Sequence, residues 1–120
     1  MNSLNQLIQC GQSYWLDNLT RAMIQNGALK KRVVEEGLRG VTSNPAIFNK
    51  AIAKSNDYDA QLKELARGEG PVEGVYEQLV IKDIQDACDI LKPVFDASDG
   101  IDGFVSLEVS PYLAHETQGT

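Results

Sequence analysis

At 120 residues, 42% of them hydrophobic, the chain is long enough to bury one core and too short for two ordinary domains. Its formal charge is -6, from 11 basic against 17 acidic residues, and its longest basic cluster is Lys30-Lys31-Arg32, so it has no electrostatic footprint for nucleic acid. No apolar run reaches the roughly 18 residues of a membrane span, and no basic segment leads into an apolar one at the N-terminus. Neither a membrane anchor nor a signal peptide is expected, and the cytoplasm is the natural location.

Leu4, Leu7, Ile8 and Gly11 recur at helical spacing, which predicts a leading helix over 3–12 capped by Ser3. Tyr14, Trp15 and Leu16 form a short strand-like run that Asp17-Asn18 ends. From Leu19 to Gly37 the apolar spacing fits two short helices or one helix interrupted at Gly27. "LRGVT" is the second strand candidate. After it, Asn44 occupies a favoured N-cap position and Pro45 the first helical position, where a missing N–H costs nothing. The helix so started buries Ile47, Phe48, Ala51 and Ile52, and a further helical piece runs from near Asp57 to the Gly68-Glu69-Gly70 break. From Pro71, Val72, Val75, Tyr76, Leu79, Val80, Ile84, Ala87, Cys88 and Leu91 hold a helical repeat for about five turns until Pro93 stops or kinks it. "FVSLEV" then alternates, with Val105, Leu107 and Val109 on one face and Phe104, Ser106 and Glu108 on the other, up to Ser110-Pro111. Cys10 and Cys88, far apart and without a Cys-x-x-Cys spacing, are expected to be packing thiols.

Strands separated by helical segments of this length predict right-handed crossovers and a parallel sheet in one α/β domain over 1–120. Three such strands leave a sheet face and an edge uncovered, and a complete (β/α)8 barrel needs roughly 250 residues. The expected fold is therefore the N-terminal portion of such a TIM barrel: its first three strands and their helices.

In parallel sheets chemistry collects at the carboxyl ends of the strands. The first delivers Asp17, the second Thr42, Ser43 and Asn44, the third Glu108. Each has a plainer reading. Asp17 fits the N-cap of the next helix, which the residues alone favour, and Asn44 fits a helix start without any ligand. Glu108 either faces the inside of a closed barrel, where a carboxylate must be paired or working, or meets solvent at an open edge. His115 has no second His or Cys for a metal site and reads as a solvated loop residue; Lys50 and Lys54, four apart on one helix face, read as solvated too.

Four segments, "YWLDNL", "GVTSNPAIFNKAI", "YDAQL" and "DGFVSLEVSPYLAHET", resemble the N-terminal third of the transaldolases, in particular their longer bacterial branch. The departures are small: the third-strand motif continues Val-Ser-Pro where other branches carry Val-Asp, and Glu116 stands where an aspartate is common. The resemblance implies a pentose phosphate pathway enzyme on a (β/α)8 barrel. It would transfer a dihydroxyacetone unit from sedoheptulose 7-phosphate to glyceraldehyde 3-phosphate through a lysine imine, without metal or other cofactor. Asp17 would handle the proton on a donor hydroxyl during carbon–carbon cleavage. Asn44 would hold the bound three-carbon unit, with Thr42 and Ser43 in the same substrate-binding stretch. Glu108 would act through a water as general acid/base. The family's imine-forming lysine belongs to the fourth strand and its phosphate-binding arginine lies later still, so this segment alone is expected to be inactive. Sugar phosphates are the implied partners, and homo-oligomerisation of the full-length protein is left open. Two other readings remain: a related class I aldolase or the transaldolase part of a fusion with a sugar-phosphate isomerase, and a non-catalytic truncated binding or assembly module.

Overall fold

The computed structural model describes residues 2–68 and 70–120. Glu69, in the expected Gly68-Glu69-Gly70 break, lies outside the described residues. The chain opens with α1 (Ser3–Gln9), and Asn2 rather than Ser3 is its cap: Asn2 is extended and its side-chain oxygen accepts from Asn5 N–H at 2.9 Å. The amides of Asn2 and Asn5 in turn donate to the Glu35 carbonyl, at 3.2 and 3.0 Å, filling an acceptor left orphaned by the end of a later helix.

Next come β1 (Trp15–Asp17), α2 (Arg21–Gln25), α3 (Ala28–Glu36) and β2 (Gly40–Thr42). Gly27 does split the second helical stretch in two. α4 (Pro45–Lys54) starts as expected, with Asn44 at its N-cap and Pro45 in the first turn, and α5 (Asp59–Leu65) follows. α6 (Val72–Ala97) is the longest element at 26 residues and continues past Pro93, so of the stop or kink predicted there the stop does not occur. Leu91 and Val94 are buried on either side of that proline, so packing holds the final turn where the backbone bond is missing.

The return to the sheet is tight. Gly103 has φ +93°, and a Cβ there would lie 2.5 Å from the Phe95 backbone nitrogen, so only glycine fits this approach of the turn to α6. Beyond it, β3 (Phe104–Ser106) is shorter than the predicted 104–109 strand. Its ladder partner β2 ends at Thr42, and residues 107–109 have no neighbour among the described residues to pair with. A short 3-10 turn, Pro111–Leu113, follows Ser110.

The three strands are parallel in the order β1-β2-β3, with Leu16, Val41 and Val105 in register. These three turn toward the helices: Val41 is in the core with Leu19, Leu29, Leu38, Phe48, Ala87 and Leu91, and Leu16 and Val105 pack against it. The alternate residues form the opposite face. There Trp15 lies across Gly40, whose missing side chain leaves room for the indole, and Trp15 and Phe104 remain 39% and 46% exposed. One sheet face is thus helix-covered and the other is open, as the pattern of the strands required. Cys10 and Cys88 are free but exposed, contrary to the packing expectation. Cys88 follows Ala87 by one residue, which rotates it off the buried stripe of α6. No described helix is long and apolar enough to cross a membrane.

Candidate active site at the strand ends

The last ladder position of the sheet aligns Asp17, Thr42 and Ser106 on the open face. The Thr42 hydroxyl donates to Asp17 Oδ1 at 2.5 Å, a bond that orients an exposed carboxylate. Asp17 does not cap α2. Thr20 does so, its side-chain oxygen accepting from Met23 N–H at 3.3 Å, and Asp17 is left at the strand end. Ser43, 1% exposed, turns the other way and donates to the Ser106 carbonyl at 2.7 Å, tying β2 to β3 just past the ladder.

Asn44 combines both of its sequence readings. Its Oδ1 accepts from Ile47 N–H at 3.0 Å and caps α4, which spends the acceptor half of the amide and leaves the Nδ2 donors without a partner among the described residues. Glu108 lies two residues beyond β3 and is exposed, so the structure brings Asp17, Thr42 and Asn44 to neighbouring strand ends while Glu108 stands just outside the ladder. His115 is exposed past the 3-10 turn. All seven lysines, Lys30, Lys31, Lys50, Lys54, Lys63, Lys82 and Lys92, sit on helices, and none lies on a strand.

The profile of the transaldolase/fructose-6-phosphate aldolase family matches residues 14–120. This chain belongs to that family. Among curated proteins it is similar to a transaldolase of Thiobacillus denitrificans, with 53% identity over 120 residues that cover 100% of this chain and 33% of that protein. It is also similar to transaldolase 2 of Nostoc punctiforme, at 52% over 119 residues, covering 99% of this chain and 31% of the relative. A transaldolase of Mycobacterium marinum matches at 43% over 98% of this chain and 32% of its own length. The chain therefore spans about a third of the length of these relatives.

Behind the strand ends of this transaldolase-family chain is a buried polar cluster that reading the sequence missed. Asp83, 0% exposed in the middle of α6, accepts from Arg21 Nε at 2.7 Å and from the Tyr58 hydroxyl at 2.5 Å. Arg21 also donates from its guanidinium to the Leu79 carbonyl at 3.1 Å, and its guanidinium carbon stands 4.2 Å from the Tyr58 ring centroid. The Tyr58 oxygen in turn accepts from the backbone N–H of Arg21, the first orphan donor of α2, at 3.3 Å. Burial, reinforced by the bond to the Asp83 carboxylate, pushes the Tyr58 phenol well above its usual value. The signal was present: Asp83 falls three residues after Val80 and four before Ala87, on the apolar stripe, where an acid must find a partner. Beside this cluster a cavity of about 580 Å³ opens between α2 and α4, bordered by Asp17 and Asn18 where β1 ends.

Proposed function

We propose that this chain forms the first three βα units of a (β/α)8 barrel and serves a transaldolase that moves a dihydroxyacetone unit between sugar phosphates. The observation that carries the reading is the open sheet face, on which Asp17 is held by Thr42 at the last ladder position and Trp15 and Phe104 stay half-exposed. In a closed barrel that face is the interior, and the strand ends border the substrate.

In this scheme sedoheptulose 7-phosphate gives up its three-carbon unit to glyceraldehyde 3-phosphate, yielding erythrose 4-phosphate and fructose 6-phosphate. A lysine from a later strand forms the imine with the donor ketone. Asp17 takes the proton from the donor hydroxyl as the carbon–carbon bond breaks, and returns it to the acceptor when the new bond forms. Asn44 donates its Nδ2 hydrogens to a hydroxyl of the retained unit. Thr42 holds the Asp17 carboxylate in position, and Ser43 keeps the neighbouring strand end in line. Closure of the barrel around Glu108 removes its water and suits it to proton exchange through one ordered water. The cytoplasm is the compartment that goes with this sugar-phosphate chemistry, and a fructose 6-phosphate aldolase is the nearest competing activity.

Borohydride reduction of the full-length protein in the presence of fructose 6-phosphate tests the scheme, with the product located by mass spectrometry. The dihydroxyacetone unit should be trapped on a lysine outside residues 1–120, and Asp17→Asn should cut turnover by at least about 100-fold while borohydride still traps the imine, now carrying the uncleaved hexose phosphate. The 120-residue chain alone should show no turnover. Turnover by that chain, or failure of the full-length protein to trap with its lysine intact, sinks the reading.

A further inference from the structure

One wall of the cavity between α2 and α4 has no part in the scheme above. α4 presents Ile47, Lys50, Ala51 and Lys54 to it, the spacing of one helix face, and the facing wall begins at Asp17. The lysines were expected to be solvated; they are exposed, but they also share this cavity with the proposed catalytic aspartate. On other helices Lys31, Lys82 and Lys92 each pair with an acid four residues on, at 3.9, 2.6 and 3.1 Å. Lys50 and Lys54 make neither an ion pair nor a hydrogen bond among the described residues, although the chain carries a net charge of -6. Lys54 has a structural use, since it lies in the last turn of α4, where a cation suits the helix dipole. Lys50, a turn earlier, has no such use. Asp17 and Asp57 border the same cavity and balance the formal charge of its rim, but neither acid pairs with Lys50 or Lys54 among the described residues, and Arg21 is taken up by Asp83, so the two ammonium groups are unengaged there.

Resting on the transaldolase reading, we infer that Lys50 and Lys54 form an outer docking site for the phosphate of an incoming sugar phosphate, at the mouth and beside Asp17. The volume of about 580 Å³ falls within the usual range of small-molecule sites. Two ammonium groups four residues apart act as point charges that concentrate a dianion and leave its carbon chain directed along the cavity.

Lysine acetylation footprinting of the full-length protein, read by mass spectrometry, tests the site with inorganic phosphate as the probe and chloride at equal ionic strength as the reference. Phosphate should slow acetylation of Lys50 and Lys54 at least fivefold and saturably, and leave Lys30 and Lys63, exposed and unpaired among the described residues, unchanged. Lys50→Ala and Lys50→Gln, both at an exposed helix position, should each raise the phosphate concentration for half-protection of Lys54 about tenfold. Absent protection, or equal protection at Lys30 and Lys63, overturns the inference. The footprint needs no imine: trapping without protection removes the docking site alone, and protection without trapping removes the transaldolase reading while the anion site stands.

Discussion

Arg21→Met isolates the energetics of the buried cluster. The substitution keeps a long apolar stem but removes the 2.7 Å bond to Asp83, the 3.1 Å bond to the Leu79 carbonyl and the stacking on Tyr58. Asp83, 0% exposed, is then left with only the Tyr58 hydroxyl as a partner. Removing one partner of a buried pair costs about 3–5 kcal/mol, a large share of the roughly 5–15 kcal/mol that stabilises a domain. Asp83→Leu should cost about as much, because it strands a guanidinium on a residue only 7% exposed. The double variant Arg21→Met/Asp83→Leu should lose far less than the sum, about 1–3 kcal/mol, chiefly because the Tyr58 hydroxyl donor then has no acceptor. Adding Tyr58→Phe should recover most of that remainder. Urea denaturation at low micromolar protein, followed by circular dichroism, gives the five stabilities from linear extrapolation. Single losses that add within about 0.5 kcal/mol, or an Arg21→Met loss below about 1 kcal/mol, would refute the cluster as a coupled unit.

The same cluster predicts an alkaline weakness. Because the Tyr58 phenol is raised above its ordinary value of 10.0, its contribution is fully present below about pH 10. Above that, the unfolded chain sheds the proton while the native state keeps it, so stability falls by about 1.4 kcal/mol per pH unit until the native phenol ionises as well. Tyr58→Phe should flatten the pH–stability curve above pH 10 relative to the parent; an unchanged slope counts against the reading. Tyr76, raised by burial, contributes in the same direction and sets the background slope of both proteins. Gly103→Ala should cost about 2–4 kcal/mol by urea denaturation, since its Cβ would meet the Phe95 backbone at 2.5 Å. Gly100→Ala shares the positive φ but meets only the Phe95 ring at 3.5 Å, so it should cost about 1 kcal/mol; equal losses would show that the contact is irrelevant.

Where a signal was local and periodic, the residues alone told the outcome. Asn44-Pro45 start a helix because an extended asparagine and a proline satisfy its first turn without outside help. The alternation of Phe104, Val105 and Ser106 set which side chains face the helices, since neighbouring strand residues must point to opposite faces. The strand–helix order was enough to predict a parallel sheet. The transaldolase-like motifs pointed to the family, which the match over residues 14–120 bears out.

Other features depended on partners distant in the chain. The length of β3 was decided by where β2 ends, because a strand persists only as far as its ladder. α6 survives Pro93 because Leu91 and Val94 are anchored in the core. Asp17 became a strand-end carboxylate and not a cap only when Thr42, 25 residues on, supplied its hydroxyl. Arg21, Tyr58 and Asp83 are separated by 37 and 25 residues and share no common motif, so nothing short of the packed helices could bring an arginine, a phenol and a carboxylate to one dry point. Periodicity reports which face of an element is buried; which polar groups meet there is settled by the closing of the chain, because only then do desolvated charges find the neighbours that make their burial tolerable.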